Sequence, residues 1–162
     1  MQLRVKVEYK DYSKDAIKAL GAGIDKGLDD IVDLIFEKSQ RLVPKDEGTL
    51  QKSVLPIRRE WMEKEVWYRA FYAPYIEYGT DPREQMPPVD AIEAWVKRKG
   101  IGRGRDSRST AFAIARSIQK NGTRPQPFLR PARNEADVRK NEIMQRAVKR
   151  ELAKQGKRQS KK

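Results

Sequence analysis

Apolar and polar residues alternate in the first segment of the chain. Leu3, Val5, Val7 and Tyr9 fall on one side, and Arg4, Lys6 and Glu8 on the other. A period of two predicts a strand over 3–9, because successive side chains of an extended chain point to opposite faces. The period then changes. Ile17, Leu20, Ile24, Leu28, Ile31 and Ile35 recur at steps of three and four, one apolar stripe on one long amphipathic helix. Ser13 is placed to cap it, with Asp15 near its positive end. Unbroken from about Lys14 to Leu42, it would measure ~43 Å at ~1.5 Å per residue. Gly21, Gly23 and Gly27 each lower helix propensity by about 1 kcal/mol relative to Ala, so they mark either a bend or a face that another backbone approaches.

Pro44 ends the helix, and Pro44-Lys45-Asp46-Glu47-Gly48 predicts a polar turn. Two strand-like runs follow, Ser53–Trp61 and Glu65–Phe71, joined as a hairpin through Met62-Glu63-Lys64. Residues 72–88 are aromatic and turn-rich, and Pro82, Pro87 and Pro88 bound a loop. Asp90 and Glu93 form a capping pair for a helix that carries Ile92, Trp95 and Val96 on its apolar face and stops at Gly100. A flexible basic loop spans 100–108. Ser109 then caps a helix with Ala111, Phe112, Ile114, Ala115 and Ile118 turned inward, and a last amphipathic helix runs from about Pro131 to Lys154. The expected fold class is α+β: a small antiparallel sheet packed against a long N-terminal helix, with additional C-terminal helices. The expected organisation is a single domain over 1–154, with a helical insertion at 87–122, and a basic C-terminal tail at 155–162. That tail has no apolar residue, which predicts disorder unless a partner holds it.

Composition narrows the chemistry. With 162 residues the chain can bury one core, but 36% charged residues imply that part of it lies outside that core. Cysteine and histidine are absent, which excludes disulfides and the common zinc sites and removes the most versatile nucleophile and general base. No catalytic residue, metal or cofactor is expected. Asp30, Asp33 and Glu37 line one side of the first helix, but a metal needs carboxylates converging from several elements, so they read as a solvated acidic stripe. Gly100-Ile101-Gly102-Arg103-Gly104 follows a helix rather than a strand and lacks the spacing of a phosphate loop, so it reads as a connector. No apolar run is long enough to span a bilayer, and the first residues lack the apolar stretch of a secretory signal. A soluble protein made in the cytoplasm is expected.

The net charge of +13 is uneven: from Arg124 onward, thirteen Lys and Arg stand against four Asp and Glu. Arg103, Arg105, Arg108, Lys157, Arg158, Lys161 and Lys162 are therefore candidate contacts to nucleic acid or to an acidic protein surface. The loop between the helices of 90–121 is too long for a helix-turn-helix, which leaves non-specific backbone contact.

Three separated blocks resemble a known family. Residues 42–54, with Pro44, Asp46, Gly48, Leu50 and Ser53, are similar to the pattern P-x-D-T-G-x-L-x-x-S-[IV]; here Glu47 stands where the pattern has Thr. Residues 72–80, with Tyr72, Ala73, Tyr75, Glu77, Gly79 and Thr80, are similar to Y-A-x-Y-x-E-[FY]-G-T. Residues 122–132, with Pro127, Phe128, Pro131 and Ala132, are similar to P-x-P-F-[LM]-x-P-A. The family is that of the head–tail joining, or neck and tail-completion, proteins of long-tailed bacteriophages. The resemblance covers most of residues 13–155 and says least about the helices of 87–121. It implies a non-enzymatic virion protein, made in the bacterial host cytoplasm, that forms a closed ring of six or twelve copies at the neck or tail. Its implied neighbours are connector or head-closure proteins and tail-terminator or tail-tube proteins, with channel DNA touched non-specifically and no membrane. The same resemblance leaves a tail-terminator role open, and the charge leaves open a non-specific nucleic-acid-binding protein.

The residues themselves carry further expectations. Gly48 and Gly79 suit turns that need positive φ. Tyr72, Tyr75 and Tyr78 share a face that can pack on the sheet, which leaves Glu77 to accept hydrogen bonds. Phe128, between prolines, is either a plug for a neighbouring subunit's groove or part of its own subunit's core.

Overall fold

The computed structural model describes residues 13–60, 63–102 and 106–159. Within them the chain runs α1 (Ser13–Leu42), α2 (Thr49–Lys52), β1 (Val54–Glu60), β2 (Glu63–Tyr68), α3 (Ala73–Tyr78), α4 (Val89–Lys99), α5 (Ser107–Asn121) and α6 (Leu129–Gln159). The fold is α+β, a long N-terminal helix backed by a small antiparallel sheet, with helices after it. The strand expected over 3–9 lies outside the described residues.

The largest packing interface is between α1 and α6. Ion pairs Lys26–Glu151 (3.6 Å) and Lys38–Glu135 (2.9 Å) show the two helices to be antiparallel. Small residues let them approach. Ala19, Gly23 and Gly27 are buried on α1, and Ala132, Ala136 and Ala147 on α6. A Cβ on Gly23 would lie 2.7 Å from the Val148 Cα, and one on Gly27 would lie 2.6 Å from the Met144 Sδ. Gly23 and Gly27 thus sit where α6 needs room, its backbone at Gly23 and the Met144 side chain at Gly27, and α1 runs through all three glycines without a break. This corrects the apolar-stripe expectation at its first two positions, while Ile24, Leu28, Ile31 and Ile35 are half-buried. Ile17 is 69% exposed and Leu20 is exposed, whereas the small-residue face is covered.

β1 and β2 pair antiparallel with Val54 opposite Tyr68, Ile57 opposite Glu65 and Glu60 opposite Glu63, and the register shifts between Arg58 and Glu60. Pro56 lies opposite Val66; without an N–H it suits a strand that, among the described residues, is paired on one edge only. The hairpin is tighter than the sequence suggests, since Glu63 and Lys64 belong to β2 rather than to the turn. Lys64 is anchored electrostatically. The Lys64 side chain is 4% exposed, donates to the Asp25 carbonyl (2.7 Å) and pairs with the carboxylates of Asp25 and Asp29. Arg58 also pairs with Asp25. These contacts fasten the sheet to α1 through Asp25 and Asp29, beside the stripe of Asp30, Asp33 and Glu37. At the other end of β2, the Tyr68 hydroxyl donates to Ser39 Oγ (2.8 Å) and accepts from Gln40 Nε2 (3.3 Å).

Other boundaries move for local reasons. Residues 73–78 form a helix inside the expected loop, with Pro74 in its first turn, where a missing N–H costs nothing. Pro88, not Asp90, precedes α4 as its cap residue, without a side-chain cap bond. Asp106 rather than Ser109 caps α5, accepting from the Ser109 N–H at 2.9 Å. On α5, Ala111 and Ala115 are buried as expected, but Phe112 is 49% exposed. α6 continues past the expected end at Lys154 to Gln159.

Candidate functional site

The core cluster assembles one residue from each of several distant segments: Val43, Leu50, Ala73 and Phe128 are buried together, with Tyr68, Tyr72, Ile76 and Leu129 packed around them. Phe128 is 1% exposed and meets the Tyr68 ring edge-on at 4.8 Å. It fills its own subunit's core, so the plug-for-a-neighbour alternative does not hold.

Glu77 explains why the chain converges here. Its side chain is 5% exposed. Its Oε2 accepts from the backbone N–H groups of Phe128 (2.8 Å) and Leu129 (2.9 Å), and its Oε1 from the N–H of Arg130 (2.9 Å). The first N–H groups of a helix lack partners within the helix and carry partial positive charge. At the start of α6 a carboxylate from α3, fifty residues earlier in sequence, serves them. Pro131 follows in the first turn and has no N–H to satisfy. The Arg130 guanidinium closes the arrangement, with Nε 3.2 Å from Glu77 Oε1, Nη2 donating to the Glu77 carbonyl (3.4 Å), and its carbon 4.9 Å from the centre of the Tyr78 ring. Burial pushes the Glu77 carboxyl up. The three main-chain donors and the guanidinium outweigh it and hold the group below the ordinary glutamate range.

The remaining motif residues frame this clamp. Pro44 closes the end of α1, and Gly48 enters α2 with a φ of 76°. Ser53 Oγ donates to the Leu50 carbonyl (2.8 Å) at the end of α2. Ala73 and Ala132 are buried, while Pro127 and Pro131 lie on the surface beside Phe128. Gly79 leaves α3 with a φ of 74°, and a Cβ there would strike the carbonyl of Thr123. Thr80 then bridges to Thr123. Of the three tyrosines expected to pack on the sheet, only Tyr72 joins the core. Tyr75 and Tyr78 are 54% and 63% exposed, because the helical turn of α3 swings them outward.

Asp46 is exposed and ion-paired to Arg98 (3.1 Å) and Lys99 (3.2 Å), and Glu47 lies 3.2 Å from Arg98. The hydroxyl missing at position 47 is thus replaced by a charge that α4 uses. Among the candidate basic contacts, Arg108 is held by Asp90 (3.0 Å) and Glu93 (3.1 Å). Lys157 and Arg158 lie exposed in the last turn of α6. Arg103, Arg105, Lys161 and Lys162 lie outside the described residues. Among the described residues no group of three or more His, Cys, Asp or Glu is placed to hold a metal ion, and no helix is long and apolar enough to cross a membrane. An apolar groove of about 360 Å³ runs beside the clamp, floored by Phe128 and Ala73 and flanked by Trp67 and Tyr78.

No protein-family model, curated protein or solved structure matches the chain.

Proposed function

We propose that this protein is a non-enzymatic structural component of a tailed-phage particle, a subunit of a closed ring of six or twelve copies at the head–tail junction. It would join a connector or head-closure ring to the tail terminator or tail tube. One observation carries the reading: the three motif blocks that resemble the neck and tail-completion proteins meet at a single clamp, Glu77 with Phe128, Leu129 and Arg130, beside Leu50 and Ala73. A second observation supports self-association. Trp67, Tyr75 and Tyr78 are each more than half exposed around adjoining grooves, and aromatic surface of this kind is enriched in protein interfaces. The mechanism is assembly, by repeated contacts that close on themselves.

Light scattering of the purified protein, alone and with tail extracts, tests the proposal, and negative-stain microscopy of the same samples gives the shape. A closed ring, or recruitment into one on addition of tails, is the expected result. A strict monomer in both conditions that shifts DNA in a steeply salt-dependent gel assay would replace the proposal with non-specific nucleic-acid binding.

A further inference from the structure

Among the described residues the α4–α5 hairpin is attached to the rest of the molecule at two places of different character. At its base the two legs are clasped. Thr80 and Thr123 exchange both backbone hydrogen bonds (3.2 and 3.0 Å), and their hydroxyls lie 3.0 Å apart. Just above, the Arg83 N–H donates to the Gln119 carbonyl (3.0 Å), and the Gln119 amide donates to the Glu84 carbonyl (2.6 Å). Gly79 and Gly122 flank the bridge at φ values of 74° and 69°.

At its far end the attachment is ionic. The last turn of α4 reaches the turn after α1 through Arg98 to Asp46 and Glu47, and through Lys99 to Asp46; Lys99 also donates to the Lys45 carbonyl (3.2 Å). All four charged side chains are between 38% and 59% exposed. Between clasp and latch lies a cavity of about 420 Å³, with Trp95 and Lys99 on one wall and Leu50, Tyr72 and Ile76 on the other. Among the described elements α4 and α5 pack extensively only on each other, and their buried residues are Val96, Ala111 and Ala115. The hairpin therefore has its own small core, and among the described elements no comparable packing holds it down.

We infer that α4–α5 is a lever that pivots at the Thr80–Thr123 clasp and is held closed by the Asp46/Glu47–Arg98/Lys99 latch. Rising ionic strength releases it and opens the wall of Leu50, Tyr72 and Ile76. Exposed ion pairs are weak and screened by salt, whereas the reciprocal backbone bonds of the clasp are not charge-dependent, so of the two attachments salt loosens the latch and spares the clasp. The Arg108 pairs to Asp90 and Glu93 are also screened but lie within the hairpin, where α4 and α5 share a buried core. The inference does not depend on the ring reading.

The chain has no cysteine, so two nitroxide labels on Lys52→Cys and Arg116→Cys report one distance between body and lever. Pulsed electron resonance should show a single short distance in about 0.1 M salt. A second, longer one should grow roughly fivefold toward about 1 M, as the screening length falls from ~10 to ~3 Å. Adding Asp46→Asn with Glu47→Gln should populate the longer distance already at low salt. Circular dichroism on the same samples confirms that the helices remain. A distribution that neither salt nor the double substitution moves would overturn the inference. So would one that is already broad and salt-independent in the wild-type charge pattern.

Discussion

Two carboxylates sit at two of the junctions of this molecule, and their surroundings set different rules. Glu77 is buried, accepts three main-chain N–H bonds and ties the start of α6 to α3. Asp46 is on the surface, faces two long cationic side chains and ties α4 to the turn after α1. A charge taken out of water and fully hydrogen-bonded makes a joint that costs much to break, because its partners are then left unpaired. A charge left in water makes a joint that salt and side-chain entropy loosen. The body and the hairpin are thus fastened with different permanence, although each junction uses a carboxylate and an arginine.

The largest expected effect comes from emptying the body's core. Phe128→Ala should lower unfolding stability by about 3–5 kcal/mol in chemical denaturation, since a buried aromatic is replaced by a cavity. A loss near zero would place the structural centre elsewhere. Glu77→Gln keeps the shape but sets an amide NH₂ against main-chain donors, and a loss of about 2–3 kcal/mol is expected.

The same group gives a pH signature. Its folded-state pKa is depressed, so its contribution is complete above the ordinary glutamate value and is lost as pH falls through the lower, folded value. The difference in melting temperature between wild type and Glu77→Gln should therefore be full at neutral pH and shrink in acid. A difference that grows in acid would contradict the sign. Between α1 and α6, Gly23→Ala should cost about 1–3 kcal/mol, because backbone stands in the way. Gly27→Ala should cost less, because a flexible Met144 side chain can move. Equal effects would mean that the helices are not in the register described. Asp46→Asn should be the mildest, with no resolved change in the global melt and a change only in the salt response of the hairpin.

How far the sequence foretold this depends on the range of the interaction. Periodicity located α1, the hairpin strands, α5 and most of α6, since each is set by local alternation or by glycine and proline punctuation. On α1 it was right in part: Ile24, Leu28, Ile31 and Ile35 are half-buried, but Ile17 and Leu20 are exposed. The close contact with α6 is made at Gly23 and Gly27, which the pattern left as either a bend or a backbone approach. Resemblance singled out Glu77 and Phe128 but not their bond. That pairing spans some fifty residues and involves main-chain donors, which leave no mark in the side-chain pattern. The helix at 73–78 was hidden for a related reason, being too short for any period to show.

The clamp is the feature on which the convergence of the three blocks rests, and amide hydrogen exchange tests it most directly. In the intact protein at neutral pH, the N–H groups of Phe128, Leu129 and Arg130 should exchange as slowly as those in the middle of α1, although first-turn amides of a helix ordinarily exchange fast. In Glu77→Gln the same three should become fast while the middle of α1 stays protected. Fast exchange at these amides in the intact protein, or protection unchanged by the substitution, would contradict the account.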